Sequence, residues 1–421
     1  MTGSRWALLC WLLAAMVSAD RARAGVWGMD PNIGVLGDYS TDPALLHEPD
    51  TNVGSGGVQA NLPTTYTDDD FKFVVQPSFR YGDSHGYSSV ASNYEHLNIV
   101  GEYDTERSTL TATGGLSQDS SLSYNYLANG SVGVRREGAV GDLNWDTHLT
   151  ERLEVGADAN SQRVLYGEPV GVAVLTDYNY TSISPNLKWA ETERSKITFS
   201  ANVARYDSLD SRDAEDNSTS SVSRSANLQL GFVTQLAEQW KLTATGGYSR
   251  ALNAINLDEY LCCELVSTPQ GPEFEYVAVP VKAESAQNGS VYALNLTHQG
   301  EQLALTASVS QQLAPTGFAF LSRQQSFELS AVFTLSERWS FSGDARYIRY
   351  QNPPASGTTP EVNVQYYSLA ANWAWTEHLT LSLSAARVSN NVPASIAAAG
   401  YGVASNEVTL TVSRQFDHFN F

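Results

Sequence analysis

The residues of this chain that could do chemistry are scattered rather than gathered into a motif. The seven histidines lie far apart, and neither a G-x-S-x-G, an H-E-x-x-H nor a phosphate-binding loop occurs. A hydrolase needs Ser/His or Asp/His groups collected at one place. We therefore expect no enzymatic activity, no catalytic residues and no cofactor, with a hydrolase as the least favoured reading.

Two adjacent cysteines, Cys262 and Cys263, are the most conspicuous reactive pair. A vicinal disulfide would hold their Cα atoms at about 3.8 Å, closer than in ordinary disulfides. An intermolecular disulfide or free thiols are the alternatives. No histidine lies near them in sequence, so we expect no metal site.

An acidic segment lies earlier in the chain, at 207–216, with carboxylates at Asp207, Asp210, Asp213, Glu215 and Asp216. It could bind divalent cations that bridge to lipopolysaccharide. The spacing does not match a calcium loop, which favours a solvated acidic loop.

The N-terminal residues resemble an export signal, and the secondary structure that positions the residues above is expected to begin after it. Arg5, an apolar run at 6–17 and the small triplet Ala22-Arg23-Ala24 predict a signal peptide over 1–24. About 12 apolar residues are too few to span a bilayer, which needs roughly 20. The remaining residues, 25–421, are expected to form a single domain.

The rest of the chain alternates apolar and polar residues with a period of two, which predicts β-strands. Short polar turns recur at intervals of roughly 40 residues, with glutamates at positions 106, 151, 193, 238, 301, 337 and 377. Longer polar segments, of which 253–287 is the longest, separate these hairpins and are expected to be loops. The pattern gives about 18 strands between residues 31 and 414, with 16 as the alternative because the first two are weak.

Short turns on one side and long loops on the other are typical of outer-membrane barrels. Tryptophans 189, 240, 339 and 375 lie near the turns, and tyrosines 206, 248, 347 and 350 lie toward the loops. Two such groups are typical of the aromatic girdles that lie at the two membrane–water interfaces of a barrel. The sequence therefore predicts an all-β, transmembrane, antiparallel up-and-down barrel with short periplasmic turns and long extracellular loops. A soluble β protein with the same alternation is the alternative.

The polar face of the strands carries a few charges, and Lys241, Glu328, Asp344 and Arg346 are the candidates for lining the lumen. They could set ion selectivity or form cross-strand ion pairs, and both can hold together. The formal net charge of −20 argues against nucleic acid as a partner. Outer-membrane lipid and lipopolysaccharide are the expected partners.

The hairpin pattern resembles a β-barrel porin family of bacterial outer membranes that is found in exopolysaccharide production and export systems. The residues that carry the resemblance are Arg135-Arg136, the strand 141–145, the turn 149–153, the run 313–318 and the turn 335–339. The resemblance implies a bacterial outer-membrane location, passage of polysaccharide, and periplasmic export components as further partners. The segment 253–287 departs from the family pattern.

These observations together predict a porin-like channel or conduit for saccharides, linked to exopolysaccharide export. The alternative is a non-conducting scaffold barrel of a surface-polysaccharide machine.

Overall fold

The computed structural model describes residues 25–41, 52–85, 93–120, 135–167, 176–209, 211–212, 218–268, 271–315, 321–351, 362–391 and 404–420. The predicted signal peptide, 1–24, lies outside these ranges. In this part of the chain no helix is both long and apolar enough to cross a membrane.

The described residues form 18 antiparallel strands, several of them in two segments. In chain order they are β1 (Val26–Met29 and Asn32–Thr41), β2 (Val53–Asn61 and Thr64–Thr67), β3 (Phe71–His85), β4 (Tyr94–Asp104), β5 (Ser108–Ser120), β6 (Arg135–His148), β7 (Leu153–Tyr166), β8 (Tyr178–Thr192) and β9 (Ser195–Ser208 and Ser211–Arg212). The second half comprises β10 (Ser218–Ala237), β11 (Trp240–Thr268), β12 (Gly271–Gln299), β13 (Leu303–Pro315), β14 (Leu321–Thr334), β15 (Trp339–Gln351), β16 (Val362–Ala374), β17 (Leu379–Asn391) and β18 (Ala404–Gln415 and Phe419–Asn420).

Each strand pairs with the next in sequence, and the last strand pairs with the first. The β1–β18 ladder runs from Asn32 opposite Gln415 to Thr41 opposite Asn406. The sheet is thus closed and leaves no strand edge between β1 and β18, as a lipid environment requires. The predicted barrel and its 18 strands are confirmed, and the count of 16 is wrong.

The two faces of the barrel wall differ sharply, because side chains alternate along each strand. On β10, Leu228, Leu230 and Phe232 are exposed on one face. Asn227 and Gln229 lie on the other face, where their side chains hydrogen-bond each other at 3.1 Å. The apolar face is the outer one, since the opposite face carries residues that contact strands across the barrel.

The recurring turn motif has a local cause. Thr150 Oγ1 accepts a hydrogen bond from the backbone N–H of Leu153 at 3.0 Å, and Thr376 Oγ1 accepts one from Leu379 at 3.0 Å. Ser336 Oγ does the same for Trp339 at 3.2 Å. A Ser or Thr placed three residues before the next strand therefore closes each of these turns.

The segment 253–287, expected to be a loop, is instead a hairpin extension of β11 and β12. These strands pair from Trp240 opposite His298 to Thr268 opposite Gly271, with an irregularity between Cys262 and Glu264. The prediction was wrong because valines at 277, 279 and 281 continue the strand period through a segment that is otherwise polar. Ladder pairing of β11 with β10 ends at Leu257, and pairing of β12 with β13 starts at Tyr292.

Candidate functional site

The candidate site is the inner wall of the barrel, where amides, hydroxyls and carboxylates form cross-strand contacts on β6–β10. Asn160 donates to Asp142, and Asn186 donates to Asp158 at 3.2 Å. Asn202 donates to Ser184 at 2.7 Å. Amide-rich hydrogen bonding continues along this wall to Asn227 and Gln229. Such a wall offers both donors and acceptors to polar solutes, and its carboxylates are hydrogen-bonded to neighbouring amides.

An ion-pair network lies on the inner wall at the turn side of β6–β9. Lys188 Nζ contacts Asp146 Oδ1 at 2.8 Å and Glu154 Oε1 at 2.6 Å. Lys196 Nζ also reaches Glu154, at 3.3 Å. Two carboxylates on β6 and β7 face two lysines on β8 and β9, so the network holds the turn-side wall together without a large excess of one sign.

The predicted lumen candidates all fall on the polar face of their strands. Glu328 of β14 lies opposite Arg346 of β15, and Arg346 Nε is 3.4 Å from Glu328 Oε1. Asp344 accepts a hydrogen bond from Ser368 at 3.3 Å. Lys241 lies opposite Gln235 on β10 and Thr297 on β12. The structure thus brings Glu328, Arg346 and Asp344 to one patch and leaves Lys241 apart from them.

At the loop side the inner wall becomes apolar, which sequence reasoning missed. Val164 of β7, Tyr178 of β8, Tyr206 of β9 and Leu321 of β14 form one buried cluster, with Tyr166 and Tyr180 packed against it. We call these six residues the mouth cluster. Because β14 is not a neighbour of β7, β8 or β9 in the sheet, the cluster bridges the interior near its loop-side mouth.

A second apolar cluster continues the mouth cluster on β15–β17. Ile348, Tyr350, Val364 and Val388 are buried together, and Tyr366 packs against them. Tyr166 of the mouth cluster lies close enough to Tyr350 for the two phenols to interact electrostatically. Buried apolar residues therefore line the loop-side mouth in two clusters, one on β7–β9 and β14 and one on β15–β17.

Two of the expected girdle tyrosines belong to these clusters and not to the lipid interface. Tyr206 and Tyr350 are buried, whereas Tyr248 and Tyr347 are exposed on the outer face. Tyr347 and Tyr350 are three residues apart, so in a strand they must lie on opposite faces. On the turn side, Trp189, Trp339 and Trp375 are exposed as expected. Trp240 contacts His298, with tilted rings whose centroids are 4.5 Å apart.

A buried charged group lies on the same side of the barrel, at the end of β5. Arg136 donates two hydrogen bonds to Asp119, Nε to Oδ1 at 3.0 Å and Nη2 to Oδ2 at 3.1 Å. His96 Nε2 lies 3.1 Å from Asp119 Oδ2, and its ring stacks on Tyr94 at 4.8 Å. A bidentate pair of this kind fixes the relative position of β4, β5 and β6.

The remaining candidates fall largely outside the described part of the chain. The structure describes the backbone of Cys262 and Cys263 but not their side chains, so a disulfide there stays a prediction. Asp207 accepts both hydrogen bonds of an Arg205 fork, with Nε at 2.8 Å and Nη2 at 2.7 Å. The other four carboxylates of the acidic segment lie outside the described residues. In the part that is described, no group of three or more His, Cys, Asp or Glu side chains is arranged to hold a metal ion.

Comparisons with known proteins give weak likenesses. No protein-family model matches the chain, and no curated protein matches it. Solved structures similar to it include the ferric citrate transporter FecA in the unliganded form, at 11% identity and a TM-score of 0.49 over 94% of this chain and 79% of FecA. Pseudomonas aeruginosa OccK2 (OpdF) in complex with glucuronate is similar at 10% identity and a TM-score of 0.44, over 94% of this chain and 98% of OccK2.

The class of the protein follows from its own geometry. The strand ladder is closed, so its backbone polar groups are paired within the wall, and apolar side chains such as Leu230 and Leu369 are exposed on the outside. In water such a surface would be strongly unfavourable, whereas hydrocarbon solvates it. The chain is a β-barrel of the bacterial outer membrane, a class to which transport barrels belong.

Proposed function

We propose that the barrel is a passage for neutral, hydroxyl-rich solutes of the saccharide class. The observation that carries this proposal is the inner wall of β6–β10, where Asn160, Asn186 and Asn202 present side-chain amides between strands. Amides and hydroxyls exchange hydrogen bonds with sugar hydroxyls at no cost in charge desolvation. Barrels of 16–18 strands are wide enough to enclose an aqueous channel.

We extend this proposal to the export of surface polysaccharide. The support is the resemblance of the turn and strand patterns around Arg135-Arg136 and 335–339 to barrels of exopolysaccharide systems. The amides of this wall also suit a polymer, because each neutral hydrogen bond is weak enough for a sugar chain to keep moving. Lipopolysaccharide around the barrel and periplasmic export components at its turn side would be the partners.

Liposome swelling tests the transport proposal directly. Purified protein is reconstituted into liposomes, and osmotic uptake is compared for neutral maltohexaose and for an anionic hexagalacturonate of similar length. We expect faster uptake of the neutral sugar. Uptake of neither sugar, or preference for the anionic one, would contradict the proposal.

The mouth cluster favours a second candidate, a non-conducting scaffold. Leu321 packs against Val164 and Tyr206 from across the barrel, and an apolar constriction can stop conduction by excluding water. Planar-bilayer recordings separate the two functions. A scaffold would stay silent even when Leu321 is changed to Ala, whereas a closed channel would conduct more in that variant than in the wild type.

A further inference from the structure

A row of polar side chains near the loop-side mouth is buried without hydrogen-bond partners. Ser223 of β10 lies opposite Asn253 of β11, which lies opposite Ser285 of β12. Ser223 is 0% exposed and Asn253 is 2% exposed. Among the described residues, both polar side-chain atoms of Asn253 lack a partner, as do the hydroxyls of Ser221, Ser223 and Ser285. We call these four residues the polar row.

Several unpaired polar groups side by side are unusual in a folded protein. Most buried polar atoms have a partner, and each specific exception needs an explanation, such as a bound molecule. The polar row consists of three hydroxyls and one amide, so it can donate and accept hydrogen bonds without carrying charge. A neutral ligand with several hydroxyl groups would satisfy these atoms, whereas an ion would lack a counter-charge in the row.

The polar row adjoins aromatic rings of the mouth cluster. Ser223 lies opposite Tyr206 of β9, and the Tyr206 ring stacks on Tyr178 with centroids 5.2 Å apart. Leu321 is 0% exposed and belongs to the same cluster. Aromatic rings beside an amide and hydroxyls are complementary to a sugar ring, which has an apolar C–H face and a polar rim.

The loop-side end of the β13–β14 hairpin, which carries Leu321, is joined to β12 by side chains of both strands. Arg323 Nη2 donates to the carbonyl of Asn288 at 2.8 Å, and Gln311 donates to the carbonyl of Ser290 at 2.6 Å. These contacts occur at and beyond the last pair of the β12–β13 ladder, Tyr292 opposite Gln311. Backbone pairing joins Leu321 to Pro315 of β13, but only side chains join this hairpin end to β12, and such contacts can open locally.

We propose that the polar row and the tyrosines of the mouth cluster form an occluded binding site for a neutral sugar residue, with Leu321 occupying the place of the sugar's apolar face. The inference rests on the proposed passage of saccharides and names a site for them. Leu321 and the sugar compete for the same place against Tyr178 and Tyr206. A variant that lacks the leucine side chain should therefore have this place open before the sugar binds.

Binding of maltohexaose to detergent-solubilised protein, measured by isothermal titration calorimetry, tests the site. Asn253→Leu keeps a similar side-chain volume but removes the amide, and we expect about three- to tenfold weaker binding, as for the loss of one or two neutral hydrogen bonds. Leu321→Ala should bind at least about threefold more tightly, because it lowers the population of the occluded state. Leu252→Ala, on the outer face beside Asn253, is the matched control and should bind like the wild type.

The opposite signs of the two effects identify the site, since damage to folding would weaken binding in both variants. Thermal unfolding checks the fold separately, and Asn253→Leu should unfold at the wild-type temperature or above it, because it removes an unpaired buried amide. Unchanged affinity in Asn253→Leu, or absence of binding in both the wild type and Leu321→Ala, would overturn the site. If maltohexaose still enters liposomes in those cases, the proposed transport function stands without this binding site.

Discussion

The buried Arg136–Asp119 pair allows a quantitative prediction. Their side chains are 2% and 1% exposed, and two hydrogen bonds join them. Asp119→Leu would remove the carboxylate that the buried guanidinium binds through two hydrogen bonds and would also remove the contact with His96. Removing one partner of a buried ion pair typically costs about 3–5 kcal/mol. We expect the free energy of unfolding to fall by about that amount.

The assay is equilibrium urea unfolding in phospholipid vesicles, followed by tryptophan fluorescence. The double variant Asp119→Leu/Arg136→Met should recover most of the loss, because it removes both charges from the buried position. The Arg346–Glu328 pair is the matched control: its side chains are 46% and 43% exposed. Glu328→Gln should therefore cost less than about 1 kcal/mol. A loss below about 1 kcal/mol for Asp119→Leu, or no recovery in the double variant, would refute the reasoning.

Three further predictions concern the outer face, the turn side and the lumen. Leu230→Arg should destabilise the barrel in vesicles by about 2–4 kcal/mol, whereas the same change at its inner-face neighbour Gln229 should cost much less; equal losses would contradict the assignment of faces. The hydrogen bond to Asp30, followed by the one to Asn420, raises the pKa of His418. Protonated His418 therefore stabilises the folded barrel fully at pH values below the ordinary histidine pKa, and this stabilisation is lost as the pH rises through the raised pKa. Asp30→Asn should return that pKa toward its ordinary value in an NMR titration. Lys241→Glu should shift the reversal potential of a bilayer recording toward cation preference, and an unchanged potential would remove Lys241 from the conducting wall.

Most of the fold could be predicted from the sequence, because strands and turns are local. Alternation with a period of two predicted the strands, and the recurring short polar segments with glutamates predicted the turns. At Thr150 and Thr376, each just before one of these glutamates, the structure shows the side chain accepting a hydrogen bond from the next strand. The alternation with a period of two could also have shown that the 253–287 segment continues as strands, since its valines alternate with other residues.

The mouth could not be predicted, because its contacts join residues that are far apart in sequence. Leu321 meets Val164 only after the barrel has closed, because β14 and β7 are not neighbours in the sheet. Tyr206 looked like a lipid-interface tyrosine because a period of two defines two faces without saying which one is inside. A useful signal was present at 178–180, where Tyr178 and Tyr180 share the face of Ser182 and Ser184, and aromatic residues on an otherwise hydrophilic face indicate an interior contact.

The pairing of β1 with β18 has a consequence for biogenesis. Asn32 Nδ2 donates to Gln415 Oε1 at 3.2 Å across 383 positions of the chain, so the seam joins segments that are far apart in sequence. The entropic cost of bringing such distant segments together makes this step slow. Until it happens, both β1 and β18 present unsatisfied backbone groups, which invite aggregation. The nascent chain should therefore depend on escort through the periplasm, and sealing of the seam should be the last event of its insertion.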